Sequence, residues 1–155
     1  MGFTRYYTVN KNLNYLPEGF QNDVRSIIQT ADSLGVKIAG WNGIAAPELS
    51  VKRLVLNGVD DSANGGEDQS FETFTIDLNN SNRPVNPALV DALGESFNNF
   101  GFCKTGRRPY DVIVGAILRS AKFHNVVTEY SSDGGHNEDA ITDLLAAAGC
   151  AKRVA

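Results

Sequence analysis

One helix-length stretch places the tightest limit on the fold, because it carries apolar residues on nearly every side. It reads PYDVIVGAILRSAKFH and runs from Pro109 to His124. A helix at the surface keeps one polar face, whereas a helix that is apolar nearly all round is buried in the protein. The sequence therefore predicts a mostly buried helix that starts near Pro109.

Four stretches of β-branched and aromatic residues predict strands. They cover residues 3–9, 51–59, 71–78 and 126–132, and read FTRYYTV, VKRLVLNGV, FETFTIDL and VVTEYSS. The second and third flank the polar, glycine-rich stretch DDSANGGEDQS. A stretch of this kind is typical of a turn region, so we expect its two neighbours to pair as antiparallel strands with a long hairpin loop.

Further helices are predicted by apolar spacing and by the residues at their ends. Between Pro17 and Gly35, apolar residues recur three and four positions apart, and the two flanking residues suit a helix start and a helix stop. Asn137 and Gly149 delimit another helix in the same way, with Asn137 as the expected N-cap. A short helix over residues 87–97 is also expected, although it contains a glycine, which lowers helix propensity.

These elements predict one α+β domain over residues 1–155, with a mainly antiparallel sheet covered by helices on one face. A chain of 155 residues can bury a single core of ordinary size. We find no internal repeat and no linker that would divide the chain.

Charge and composition exclude several classes of protein. The net charge of −4 argues against a protein that coats nucleic acid, which needs many clustered lysines and arginines. Because the sequence contains no apolar run long enough for a signal peptide or a membrane span, we expect a cytoplasmic protein without a membrane partner. The two cysteines, Cys103 and Cys150, lack zinc-ligand spacing and are too few for a disulfide scaffold, so we expect reduced thiols, no metal and no cofactor.

The stretch FCKTGRRPYD, residues 102–111, carries the most chemistry. Lys104, Arg107 and Arg108 precede the predicted helix start, where free N–H groups and the helix dipole favour an anion. The same setting would activate Cys103 as a thiolate, but a cysteine-dependent phosphatase needs an arginine where Pro109 stands. We therefore favour Cys103 as a small core residue. For the three cations, anion binding and a solvated basic turn both stay open.

Several motifs of the chain resemble those of one protein family. They are Gly2-Phe3-Thr4 with Tyr6, Leu56-Asn57-Gly58, Phe71-Glu72-Thr73-Phe74, Phe102 to Asp111, and Ser131-Ser132-Asp133-Gly134. In this order they resemble a family of small uncharacterised bacterial and phage proteins that carry G-[YF]-T-x-Y, F-C-K-T-A-R-K-P-Y-D and S-S-D-G motifs. The chain departs from that pattern at Phe71, Gly106 and Arg108, which replace histidine, alanine and lysine. The resemblance implies positions to examine, and it implies no particular reaction.

The motif positions yield a set of candidate ligand-binding residues at strand ends and helix starts. We expect that they line one cleft, joined by Trp41, which lies in a predicted loop and could stack on a planar ligand. The alternatives are core packing for the aromatic residues, and an exposed strand residue or a first-turn acid for the carboxylates. The candidates are Tyr6, Trp41, Glu72, Lys104, Arg107, Arg108, Tyr110 and Asp111.

Three functional hypotheses follow from these residues. The first is a cytosolic protein that captures a phosphate-bearing small molecule such as a nucleotide. If the protein is encoded by a phage, the captured molecule could be a nucleotide immune signal that it sequesters, and the protein could be a homo-oligomer. The second is a module that inhibits a host protein through an acidic surface. The third is a hydrolase or transferase on a nucleotide-like substrate, with Glu72 or Asp111 as the base.

Overall fold

Antiparallel sheets form the framework of the part of the chain that the computed structural model describes, residues 2–79 and 99–153. The strands are β1 (Thr4–Val9), β2 (Ile38–Ala39), β3 (Glu48–Leu49), β4 (Arg53–Gly58), β5 (Phe74–Asp77), β6 (Phe100–Lys104) and β7 (Val127–Ser132). A three-stranded sheet has the order β6-β1-β7. A second sheet is centred on β4, which pairs with β5 and with the short strands β2 and β3.

Three α-helices within the described residues complete an α+β fold, as predicted. They are α1 (Glu18–Ser33), α2 (Asp111–Phe123) and α3 (Glu138–Ala147). α2 packs against α1, α3 and β7, and ten of its thirteen residues are buried, which confirms the predicted buried helix. None of the helices in residues 2–79 and 99–153 is long and apolar enough to cross a membrane.

The helix α1 confirms the apolar spacing read from the sequence. Phe20, Val24, Ile27 and Ala31 are buried on its inner face. Burial of a large apolar side chain contributes about 1.5–3 kcal/mol, so this stripe fixes α1 against α2. Gly35 follows the helix with a φ of 91°, a conformation that favours glycine.

The predicted hairpin is also confirmed, although both strands are shorter than expected. β4 and β5 pair antiparallel from Arg53 opposite Asp77 to Leu56 opposite Phe74. Their inward side chains join the same core as those of α1 and α2. The loop between the strands contains one 3-10 turn, Ser62–Asn64.

Some elements differ from the prediction. β6 is missing from the prediction because a glycine interrupts its short stretch FGFCK, and β2 and β3 are missing because each has only two residues. Asn137 stands at the N-cap position of α3, but its side-chain amide donates to Asp111 and does not cap the helix. The helix predicted over residues 87–97 lies outside the described residues.

Candidate functional site

Segments that are distant in sequence meet at one end of the three-stranded sheet. Where β1 begins, the Thr4 N–H donates to the Asp133 carboxylate at 3.0 Å, and the Asp133 N–H donates to the Thr4 carbonyl at 3.1 Å. Beside β6, the Glu72 N–H donates to the Lys104 carbonyl at 3.1 Å. We call this region, which joins residues 2–6, 71–74, 102–111 and 131–137, the motif end of the sheet.

The basic stretch forms a reverse turn from Thr105 to Arg108. The Arg108 N–H donates to the Thr105 carbonyl at 3.0 Å, and Gly106 and Arg107 have φ values of 60° and 61°. Two successive residues with positive φ are typical of a type I′ turn. Thr105 is buried and its N–H donates to the Phe3 carbonyl, so the turn is anchored to the sheet while its tip is exposed.

The three cations of this stretch are exposed, but the two arginines are packed over different rings. The guanidinium carbon of Arg107 lies 5.8 Å from the centre of the Phe3 ring, and that of Arg108 lies 5.8 Å from the centre of the Phe71 ring. Within residues 2–79 and 99–153, neither Arg107 nor Lys104 forms an ion pair with a carboxylate. The expected anion cradle is therefore divided between two arginine positions.

An exposed aromatic surface lies on the outer face of the same sheet. The ring centres of Tyr6 and Phe100 are 6.1 Å apart with an interplanar angle of 23°, and those of Phe100 and Phe102 are 6.4 Å apart. Phe100 is 46% exposed and Phe102 is 54% exposed. Large aromatic side chains grouped in contact with solvent often mark an interaction site. We call these three rings the aromatic face.

The alternation of β6 explains why these rings point outward. Tyr7 and Cys103 are buried on the inner side, while Phe100 and Phe102 occupy the alternate positions. Gly101 lies opposite Tyr7, and a Cβ atom there would come within 2.6 Å of the Tyr7 ring. By the same alternation, Lys104 follows Phe102 on the outer side, so one cation borders the aromatic face.

Tyr6 also contacts the loop that precedes α3. Its hydroxyl donates to the Asp133 carboxylate at 2.7 Å, and this hydrogen bond raises the pKa of the Tyr6 phenol. Asp133 is held in turn by the backbone of Thr4. The Tyr6 ring is therefore fixed in position at the edge of the aromatic face.

Asp111, a candidate ligand-binding residue, is fully buried and forms hydrogen bonds with other residues of the protein. Its carboxylate accepts hydrogen bonds from Arg5 Nε at 2.8 Å and Nη2 at 2.9 Å, from Thr105 Oγ1 at 2.7 Å and from Asn137 Nδ2 at 3.0 Å. Burial alone would raise the pKa of the Asp111 carboxyl, but the bonds from Arg5 and Thr105 outweigh it and hold the pKa below its ordinary value. This carboxylate joins β1, the basic turn and the start of α3.

Tyr110, another candidate, is 1% exposed and packs inside the motif end. Its hydroxyl donates to the Glu72 carbonyl at 2.7 Å, and its ring lies against Gly58, where a Cβ atom would come within 2.9 Å of it. The alternative of core packing therefore describes Tyr110 better than ligand contact does.

Two residues considered for catalysis are held by local contacts, Cys103 in the core and Glu72 beside β6. Cys103 is fully buried, and burial raises the pKa of its thiol to about 12, which opposes thiolate formation. The Glu72 carboxylate accepts a hydrogen bond from the Lys104 N–H at 3.3 Å, so it is directed toward the edge of β6. Cys103 is thus the core residue that the sequence favoured.

Trp41 lies beside the segment that precedes β5. Its side chain is 68% exposed, and its carbonyl accepts a hydrogen bond from Thr73 Oγ1. Asn57 Nδ2 donates both to Thr73 Oγ1 and to the Phe71 carbonyl. Trp41 is therefore linked through Thr73 and Asn57 to the segment that carries Phe71, over which Arg108 lies.

Phe100, Phe102 and Arg5 are not among the candidate ligand-binding residues that the sequence predicts. For the two phenylalanines the signal was present, because the run FGFCK places Phe100, Phe102 and Lys104 at alternate positions. Arg5 gave no local signal, since its partner Asp111 is 106 residues away in sequence.

Comparison with known proteins gives no match, so a function can be proposed only from the geometry of the site. No protein-family model, curated protein or solved structure matches the chain. Within the described residues, no three His, Cys, Asp or Glu side chains are grouped so that they could hold a metal ion.

Proposed function

We propose that the protein captures a phosphate-bearing molecule with a planar base, such as a nucleotide, on the aromatic face, and that it does not transform it. The observation that carries this proposal is the grouping of Tyr6, Phe100 and Phe102 on one sheet face, bordered by Lys104. A base stacks on aromatic rings and a phosphate pairs with a cation. The three rings could therefore bind the base of a nucleotide, and Lys104 could bind its phosphate.

Stacking on the aromatic face would supply part of the binding free energy. Contact between a base and an aromatic side chain contributes about 1–3 kcal/mol per base. The cleft beside Tyr6 and Phe100 has a volume of only about 100 Å³, whereas pockets that enclose small molecules usually measure about 300–1,000 Å³. The ligand therefore lies across the face, with its base on the rings and much of its surface in solvent.

The phosphate half begins with Lys104 and continues onto the basic turn. Arg107 is exposed, and its guanidinium lies over the Phe3 ring. Arg108 lies over the Phe71 ring. The two arginines are therefore further cations of the motif end, in addition to Lys104.

Capture without turnover suits a protein that removes a nucleotide from circulation. In a phage setting, that ligand would be a nucleotide immune signal of the host, and several copies of the protein would increase its capacity. The motif resemblance to a bacterial and phage family suggests this setting, and the buried Cys103 thiol, with its raised pKa, disfavours a cysteine nucleophile.

Isothermal titration calorimetry tests the proposal with inorganic phosphate, ADP, cyclic di-AMP and cyclic di-GMP as probes. We expect at least one nucleotide to bind more tightly than phosphate. Phe102→Ser should weaken that nucleotide about 5- to 150-fold, the loss of one stacking contact. Lys104→Gln should weaken it less and should reduce the dependence of binding on salt.

Matched controls separate the site from general effects. Tyr15 is 64% exposed and Lys37 is exposed, and both lie outside the motif end, so Tyr15→Ser and Lys37→Gln should leave affinity unchanged. Equal affinity in wild type and Phe102→Ser would refute the aromatic face as the site. Product formed by the wild type and lost in Glu72→Gln would instead establish an enzyme.

A further inference from the structure

A second surface, on the helical side of the molecule, is independent of the aromatic face. It is a groove of about 410 Å³ between the end of α1, the start of α2 and the outer side of α3. Among the described residues that line it, Asp143 is charged and the others are apolar. The lining residues are Ala31, Leu34, Val36, Val112, Ile113, Ala140, Asp143, Leu144 and Ala147.

The groove has the chemistry of a contact surface. Leu34 is 66% exposed at its edge, and Ala140 and Ala147 are exposed one above the other on α3, seven residues apart. The small alanine side chains allow another backbone to approach closely, while Leu34 and Val112 provide apolar area. An exposed apolar groove of this size between helices suits the apolar face of an amphipathic helix.

The charge around the groove determines which helix fits. Asp139 and Asp143 are exposed on α3, and the last turns of α1 and α3 contain no basic residue. Asp32, near the end of α1, is already paired with Lys37, with Nζ 3.4 Å from Oδ1. The rim therefore keeps an excess of negative charge, and the net charge of −4 adds long-range attraction for a cation.

We propose that this groove binds a basic amphipathic helix of a partner protein. The helix places apolar residues spaced i, i+3 or i+4, and i+7 into the groove and directs lysine or arginine toward Asp139 and Asp143. A second copy of this chain is a poorer occupant, because a two-fold contact would bring the same carboxylates of both copies together.

Fluorescence anisotropy with two synthetic peptides tests the proposal. Both are 18-residue amphipathic helices with leucine on one face; one has lysine on the other face and the second has glutamate there. The lysine peptide should bind the wild-type protein at least about tenfold more tightly than the glutamate peptide. Leu34→Ser should weaken the lysine peptide about fivefold, and Asp143→Asn should weaken it about two- to fivefold, more at low salt.

Controls of similar exposure lie elsewhere on the molecule. Val51 is 57% exposed and Glu67 is exposed, and neither lines the groove, so Val51→Ser and Glu67→Gln should leave peptide binding unchanged. Absence of lysine-peptide binding, or equal binding by the Leu34→Ser and Val51→Ser proteins, would overturn the proposal. Self-association of the wild type that Leu34→Ser abolishes would overturn it too, since the occupant would then be a second copy.

Discussion

Replacing Asp111 with asparagine keeps the shape of a buried side chain and removes the charge that faces Arg5. The side chains of Arg5 and Asp111 are 3% and 0% exposed. A second carboxylate, that of the 44% exposed Glu138, lies 3.9 Å from Arg5 Nη1, so the buried guanidinium would keep only this weaker partner. Breaking a buried ion pair in this way costs about 3–5 kcal/mol in the free energy of unfolding. For a chain of this size, about 2–4 °C is lost per kcal/mol, so Tm should fall by about 6–20 °C.

Urea unfolding and thermal unfolding of the purified proteins measure this loss. The matched control is Asp32→Asn, which breaks the exposed pair with Lys37 and should cost less than about 1 kcal/mol. The double variant Arg5→Met/Asp111→Leu should be more stable than the sum of its single changes predicts, because it leaves no unpaired charge behind.

One result would refute this account of Asp111. If Asp111→Asn and Asp32→Asn lowered the free energy of unfolding equally, and if Asp111→Asn abolished nucleotide binding, Asp111 would be a ligand-binding residue after all. Loss of stability with nucleotide affinity retained in the folded protein at low temperature would confirm an internal role.

Three other measurements follow from the same structure. Hydrogen bonds from Arg5 and Thr105 hold the pKa of the Asp111 carboxyl below its ordinary value of 3.8 despite burial. The ionised carboxylate therefore contributes fully to stability above pH 3.8, and this contribution is lost as the pH falls through the lower folded pKa. In urea unfolding from about pH 7 to about pH 3, the free energy of unfolding should decline less for Asp111→Asn than for the wild type. Because burial raises the pKa of Cys103 to about 12, native protein at pH 7 should resist a thiol reagent at this position and react in urea, as peptide mass spectrometry can show. Gly101→Val should lower Tm strongly, because its Cβ would meet the Tyr7 ring, and an unchanged Tm would contradict the register of β1 and β6.

Local pattern was sufficient to predict the elements whose neighbours are close in sequence. The spacing from Phe20 to Ala31 predicted α1, and the polar loop between β4 and β5 predicted their pairing. The run from Asp111 to Phe123 predicted a buried helix because nearly every side is apolar. In each case, one segment or two adjacent ones contain the whole signal.

Contacts between distant segments were beyond the reach of the same reasoning. Only the pairing of β6 with β1 shows that Phe102 faces outward opposite Tyr6. The burial of Asp111 depends on Arg5, which the sequence presents as an ordinary strand residue. The basic stretch forms a turn before α2, but the sequence could not show which ring Arg107 and Arg108 each lie over.

Native mass spectrometry of the protein incubated with a nucleotide-rich cell extract tests the capture proposal most directly. The wild type, Phe102→Ser and Lys104→Gln are compared, with Tyr15→Ser as the control, and bound molecules are released and identified. The account predicts an unchanged nucleotide on the wild type and on Tyr15→Ser, and its loss from Phe102→Ser. Wild-type protein that retains no small molecule, or that retains the same nucleotide as Phe102→Ser, would contradict it.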